Sequence, residues 1–502
     1  MNMDYKSTIC KLIDCIEQNI KCKPDYQKME QVLSFSYRHI RNIFRKTTQI
    51  SLSRFILARK IANAAFEIRH SDKSITDIAY EYEFSNPDTF TRAFERITGL
   101  TPSDFKKSGH LCGRRIICPG VYAPVILDLV SPKFMLPNFK EVNVMGEMKK
   151  TADSCILYGV PKVYYGREEG GLRQGTPFPM CLQSVLNYMG QNISYAELMA
   201  YSGAAFRMRW DVQGWNLAAV DIRFTYENHL QPFRLAFKGA GRSFEISENP
   251  KKPKSVSKPD AINLIKSELD CGRPVIALGV VGPPEACIVT GYRDNGETLL
   301  GWSLFQGDGG GVDEFSGDCQ IDESGYFIKN NWWDSTEAIM SIGEEIGEKI
   351  PVKQVLQNAL MLMTKELVST YNNNQDFYGG QAAYEAWAKA VENDASFKEG
   401  TNIEMIEWCQ GDAETMLGEG RSFASAYMCI LAEKHPALEA EFKDCAKHFG
   451  AASGCVLKMW EAKGEHGLIN KQVRQNVASL IRQAAAHEKN AYAVLKLVID
   501  KL

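Results

Sequence analysis

Apolar residues recur at helical spacing through the first hundred positions. Ile75, Ile78 and Ala79 share one face of a short helix, Phe84 with Ser85 closes it in a turn, and Phe90, Ala93, Phe94 and Ile97 restart the stripe. The same phrase occurs upstream. Met29 to Leu33 reads as a supporting helix and Ser36 to Lys46 as a second helix that turns Ile40, Ile43 and Phe44 inward. Phe55 to Ile68 is the helix that joins the two phrases, and Ile9 to Ile20 is an opening helix. The pattern predicts an all-α head built from two helix-turn-helix units.

The outward positions of the two second helices supply the chemistry. They are Arg38, His39, Arg41, Asn42 and Arg45 in the first, and Asn86, Thr89, Thr91, Arg92 and Arg96 in the second. A helix-turn-helix lays its second helix in the major groove, where arginine suits guanine and asparagine suits adenine. A basic helix taken alone is also an ordinary solvated face; two such units in tandem favour DNA. Charge agrees. Residues 1–108 hold 18 Lys and Arg against 13 Asp and Glu, while the whole chain stands at −3, so the remainder carries −8. A basic head on an acidic body suits contacts with phosphate.

The run from Ser85 to Phe105, S-N-P-D-T-F-T-R-A-F-E-R-I-T-G-L-T-P-S-D-F, closely resembles the signature of AraC/XylS-type bacterial transcription regulators. The resemblance covers residues 5 to 107. It implies a sequence-specific regulator, an activator, that binds double-stranded promoter DNA and works with RNA polymerase, with a homodimer among its expected states.

The chain's 502 residues greatly exceed such a head, so further folding units are expected. Composition is that of an ordinary globular protein. No run of about 18 apolar residues occurs, and the N-terminus leads into an amphipathic segment, so the expected location is the cytoplasm, away from membranes. The 14 cysteines are scattered without a C-x-x-C pair and read as reduced, packed thiols. No spacing fits a metal site and no cofactor motif is present; Gly307 to Gly311 lacks the strand-to-helix setting and following lysine of a phosphate loop and reads as a flexible loop.

Residues 109–150, with the apolar run Val121 to Val130, read as linker and lead-in. From 151 the pattern is α/β. Leu182, Val185, Leu186 and Met189 form a helical stripe ended by Gly190, and helices follow at 196–201 and 262–269. Strands are expected at 274–281, 286–292 and 298–302. From 335 the strand pattern stops, and 351–372, 378–392, 412–434, 438–462 and 470–501 carry helical periodicity. The expected organisation is multidomain: 1–108, 109–150, 151–334 and an all-α part at 335–502.

The order of elements after 151, with Cys181 to Gly190, Tyr201 to Arg207 and Gly272 to Ile276, is similar to papain-like and C39-type cysteine peptidases. It is most similar to the N-terminal domain of the butirosin-biosynthesis acyltransferase family, with Tyr378 to Trp387 resembling its helical tail. That resemblance implies a nucleophilic cysteine at the start of the first helix and a histidine at a later strand. Those places fall on Pro177 and Glu285. Of the eight histidines only His229 lies between 111 and 434. The resemblance therefore implies a catalytically dead cysteine-peptidase-like domain, not an enzyme, whose cleft binds a cationic or amide-bearing small-molecule effector.

Candidate walls are Phe206, Trp210, Trp215, Trp302, Phe305, Trp332 and Trp333, each of which also fits a core role. Glu285 suits either a salt bridge to Arg273 or a cationic ligand. Two rival readings remain: an active acyltransferase or amidohydrolase with Cys181 as displaced nucleophile and Glu285 or His229 as base, and a dimerising role for 335–502.

Overall fold

The computed structural model describes residues 12–107, 148–306 and 320–502, except 13–14, 17–18, 23–25, 34, 49–51, 71–72, 99–100, 170, 249–255, 348, 371–374, 399 and 465–466. Most of the expected linker, including Val121 to Val130, and the Gly307 to Gly311 loop lie outside the described residues. The chain divides into two compact units. One comprises Met1–Val144 with Glu168–Leu172, the other Met145–Arg167 with Arg173–Leu502.

The helices of the first unit are α1 (Tyr26–Leu33), α2 (Tyr37–Thr48), α3 (Leu52–His70), α4 (Ile75–Glu81), α5 (Pro87–Thr98) and α6 (Pro102–Lys107). Of the opening helix, Leu12, Cys15 and Ile16 are described and buried. Helix α3 contacts α2 on one side of its sequence and α4, α5 and α6 on the other, so it buries Phe55, Ile56, Ile61, Ala64, Ala65 and Ile68 rather than a single stripe. Polar ties reinforce it. Buried Lys60 donates to the carbonyls of Cys22 (3.2 Å) and Tyr82 (2.9 Å), and Glu67 accepts from the Tyr82 hydroxyl at 2.9 Å. Helix α4 starts where Ser74 Oγ accepts the Asp77 amide, and it ends in a turn at Tyr82–Ser85 with Glu83 at φ +60°.

The second unit is built on an antiparallel sheet. Its strands are β1 (Met148–Lys150), β2 (Cys155–Leu157), β6 (Arg242–Glu248), β7 (Val275–Leu278), β8 (Ala286–Arg293), β9 (Thr298–Ser303), β10 (Gln320–Ile321), β11 (Phe327–Asn330) and β12 (Ala338–Glu345). The order is β10-β11-β9-β8-β7-β12-β6, with β2 also on β8 and β1 on β2. Strands β3 (Arg167–Glu169) and β4 (Leu172–Gln174) form a separate ribbon, of which Glu168–Leu172 groups with the first unit. Strands β5 (Arg209–Asp211), β13 (Leu367–Thr370) and β14 (Gln375–Gly379) form a three-stranded sheet. Helices α7 (Pro177–Tyr188), α9 (Gln231–Ala240) and α10 (Lys258–Asp270) pack on the main sheet, and α8 (Tyr195–Tyr201) packs on α7 and α9. Both α7 and α10 contact β8, which explains its continuous apolar run in place of alternation.

The later helices are α11 (Val352–Thr364), α12 (Gly380–Glu392), α13 (Ile403–Lys434), α14 (Glu439–Lys463) and α15 (Lys471–Lys501). Helices α12 to α15 share a core that includes Trp387, Leu417, Val477 and Ile481. Inside it Arg421 and Glu488, both fully buried, form an ion pair at 2.6 Å that Tyr384 joins through its hydroxyl at 2.5 Å.

Three expectations are corrected. The boundary at 334/335 is no seam, because β12 lies between β7 and β6 and completes the sheet. The helix expected over 351–372 ends at Thr364, where the alternating Leu367–Thr370 becomes a strand paired with β14. The α/β and helical parts also mix in space, since β14 and β5, 164 or more residues apart, pair directly.

Candidate nucleic-acid interface and candidate ligand site

Two helices present the nucleic-acid chemistry. In α2, Ile40, Ile43 and Phe44 are buried while Arg38, His39, Arg41 and Asn42 are exposed. Two of the outward side chains lean on rings: the Arg41 guanidinium lies 5.8 Å from the Tyr37 centroid, and the His39 ring 5.0 Å from that of Phe35. In α5, Phe90, Ala93 and Phe94 are buried, Arg92 is exposed, and Thr89 and Thr91 are half-buried. The side chains of Arg45 and Arg96 lie outside the described residues.

Asn86 is exposed and also has a local role. It caps α5, its Oδ1 accepting the Thr89 amide at 2.8 Å ahead of Pro87 in the first helical position. Sequence reasoning passed over Asp88. It is exposed and shares the outward stripe with Arg92 and Glu95, as positions i, i+4 and i+7 must.

The exposed faces of α2 and α5 flank α3, whose 19 residues span about 28 Å. That is close to the ~34 Å repeat separating successive major-groove faces of a duplex.

In the second unit, Pro177 is the first residue of α7 and Glu285 immediately precedes β8. The start of α7 is occupied. Glu419 of α13 accepts the amides of Gly175 (2.6 Å) and Thr176 (3.0 Å) and the hydroxyls of Thr176 (2.8 Å) and Tyr195 (2.6 Å). Backbone N–H groups at a helix start favour an anion, and here an internal carboxylate fills that place.

Cys181 sits one turn inside the helix, fully buried, with its thiol donating to the Ala286 carbonyl at 3.4 Å; burial pushes its pKa well up. His229 is bonded to Glu248 of β6 at 2.6 Å.

Glu285 stands at the end of a tight loop. Gly279 opens it at φ +81°, and a Cβ there would come within 2.5 Å of the Ser335 carbonyl oxygen. Neighbouring cations are committed elsewhere. Arg273 pairs with Glu268 at 2.6 Å, which removes the expected alternative of a bridge to Glu285, and Arg223 pairs with Asp221 at 2.6 Å and with Glu337. Buried Arg207 donates to the Val220 carbonyl at 2.6 Å, and its Nε has no partner among the described residues. Burial and the Asp221 charge raise the Glu285 carboxyl to about 8, with Arg223 and Arg207 opposing.

Tyr165, part-exposed, packs edge-on against Phe305 with centroids 5.6 Å apart, and Phe305 lies against Gly282 of the same loop. The Tyr165 hydroxyl is raised by burial and by the charges of Glu285, Glu419 and Asp412, so these groups share one neighbourhood. Desolvation raises Asp412 to about 6.

The aromatic wall is corrected. Of the proposed rings, Phe305 packs beside the Glu285 loop. Trp210 stacks on Trp387 at 6.2 Å and meets Trp215 edge-on at 5.1 Å in the helical core. Phe206 packs on Phe449, and Trp332 meets Trp333. Trp302 and Trp332 are buried with their indole N–H groups satisfied by the carbonyls of Val160 (2.8 Å) and Gly296 (2.9 Å), which is how a core tryptophan is accommodated. Tyr165, Arg207, Asp412 and Glu419 were missed because their partners lie far away in sequence.

Helix-turn-helix order, buried inner faces and arginine-bearing outer faces define a DNA-binding regulator. The chain belongs to the AraC-type helix-turn-helix family, and residues 29–108 match the family model described as "Helix-turn-helix domain". It is 36% identical over 105 residues to the transposon Tn10 TetD protein of Escherichia coli, covering 21% of this chain and 76% of that protein. It is 27% identical over 112 residues to the multiple antibiotic resistance protein MarA of E. coli K12, covering 22% of this chain and 88% of MarA. It is also 32% identical over 104 residues to the uncharacterized HTH-type transcriptional regulator YbfP of Bacillus subtilis, where the match spans 21% of this chain and 35% of YbfP. Among the described residues no helix is long and apolar enough to cross a membrane.

Proposed function

We propose that this chain is a one-component transcription regulator: its first unit binds promoter DNA and its second binds a small-molecule effector. The observation that carries the DNA reading is the pair of exposed faces on α2 and α5, held on one connecting helix. Activation, in concert with RNA polymerase, is the direction favoured by relatives such as the HTH-type transcriptional activator AarP of Providencia stuartii, 28% identical over 102 residues. Homodimerisation is part of the same proposal.

The effector reading is carried by Glu285, a carboxyl without an ion partner among the described residues, beside the part-exposed Tyr165 ring. A cationic or amide-bearing ligand suits it. The unit acts as a pseudoenzyme of papain-like, C39-like descent: proline stands where the nucleophile would be, Glu419 fills the helix start, and Cys181 is buried and protonated. The ligand must bind the DNA-competent and incompetent states with different affinity.

The test is a thermal-shift screen of the full chain against cationic and amide-bearing natural products, with each hit recovered for mass analysis. A compound that stabilises the wild type, loses that effect in Glu285→Gln and returns intact supports a sensor. One that returns cleaved or acylated makes the unit an enzyme.

A further inference from the structure

The outward stripe of α5 carries a charge pattern that phosphate contact does not explain. Asp88, Arg92 and Glu95 are exposed and fall within one sector of the helix, opposite buried Phe90, Ala93 and Phe94. Helix α2, by contrast, carries Arg38, Arg41, Arg45 and Lys46 and no acid at all, whereas α5 balances Asp88 and Glu95 against Arg92 and Arg96. A carboxylate facing the DNA backbone is repelled. On a helix that enters the groove, it is tolerated where it meets a base amino group.

Asp88 stands where that meeting occurs. It is the second residue of α5, directly after Pro87, and the first turn of a recognition helix approaches base edges. Its side chain forms no hydrogen bond or ion pair among the described residues, while Arg92 Nε reaches back to the Asp88 carbonyl at 3.4 Å. Asn86 fixes the turn by capping, so the Asp88 backbone is held by the helix start and not by a flexible loop.

Resting on the DNA-binding reading of α5, we propose that Asp88 is a specificity residue that selects cytosine by accepting its N4 amino group in the major groove. Arg92 lies one turn on, about 6 Å along the axis. The cytosine read by Asp88 and the guanine read by Arg92 therefore lie about two base pairs apart. Helix α2 supplies the larger part of the phosphate affinity and α5 the sharper discrimination.

The competing role is electrostatic, since an acid in the first turn also complements the helix dipole. The two roles separate in one experiment. Full-length wild type, Asp88→Asn, Asp88→Ala and Arg92→Ala are each used to select from a duplex library with a randomised core, and the affinities of the enriched duplexes are measured with each base at every position. The wild type is expected to enrich cytosine about two steps from an Arg92-dependent guanine. Asp88→Ala should lose that cytosine preference by on the order of tenfold, and Asp88→Asn, which keeps one acceptor but gains a donor, should weaken it and admit adenine, with other positions unchanged. If both variants keep the wild-type preference everywhere and only the overall affinity shifts, Asp88 serves the helix end and the proposal fails. If the wild type enriches no sequence, the DNA-binding reading fails with it.

Discussion

Glu419 accepts both the Thr176 amide, at 3.0 Å, and the Thr176 hydroxyl, at 2.8 Å, across 243 residues of sequence. This one carboxylate joins α13 to the start of α7 and leaves that helix end with no vacancy for a reacting group. Glu419→Ala would orphan the Gly175 and Thr176 amides and the Tyr195 hydroxyl. A loss of about 2–4 kcal/mol is expected, seen as a lower unfolding midpoint of the full chain, and Glu419→Gln should lose less because it keeps one acceptor. An unchanged midpoint for the alanine variant contradicts this account of the helix start.

The Arg421–Glu488 pair predicts a larger effect. Both groups are fully buried, and Arg421 also donates to the carbonyls of Ala205 and Phe206. Removing Glu488 leaves a charged guanidinium in the core, so Glu488→Ala should cost about 3–5 kcal/mol in denaturant titration. Replacing Glu488 and Arg421 together by leucine and methionine should recover part of that loss. Equal damage from the single and double changes would show that the charge itself is not the source.

Cysteine labelling tests the pseudoenzyme reading. Cys22 and Cys271 are exposed, whereas Cys181 is buried with its thiol held above its ordinary pKa. Of the described cysteines, Cys22 and Cys271 should be modified first by iodoacetamide at pH 7 and Cys181 only after denaturation. Rapid, selective modification of Cys181 in the native chain would indicate an activated thiolate.

Glu285 gives a pH signature. Its folded carboxyl sits at about 8, above the ordinary value near 4.3, so the folded state binds the proton more tightly than the unfolded chain. Stability from this group is therefore present at low pH and lost as pH rises from about 4.3 through about 8. Glu285→Gln removes that loss. The variant should melt above the wild type at pH 8, with the gap closing toward pH 5; a gap that is constant with pH would place the effect elsewhere.

The head was legible because its contacts are local. The stripes at Ile40, Ile43, Phe44 and at Phe90, Ala93, Phe94 predict the buried faces that the structure shows. The second unit was less legible where pairing is distant. Strand β12, Ala338 to Glu345, ends in Gly343, Glu344 and Glu345, without an apolar residue, and its place depends on β6 and β7, 60 or more residues earlier. Pro177 and Glu285 were located at a helix start and a strand start by counting from glycines, yet nothing nearby in sequence announces Glu419. Tryptophans in polar stretches suggested a pocket, but residues such as Val160 and Gly296 supply the carbonyls that let Trp302 and Trp332 be core.

The central claim is that α2 and α5 of one chain read DNA together. The direct measurement is the affinity of full-length wild type, Arg41→Ala and Arg92→Ala for a duplex enriched from a random library, each at several salt concentrations. The account predicts that each substitution weakens specific binding by about 1–3 kcal/mol and relaxes base preference at its own position. The two positions should lie about one helical turn apart, with affinity falling as salt rises. Unchanged affinity and base preference in both variants would contradict it.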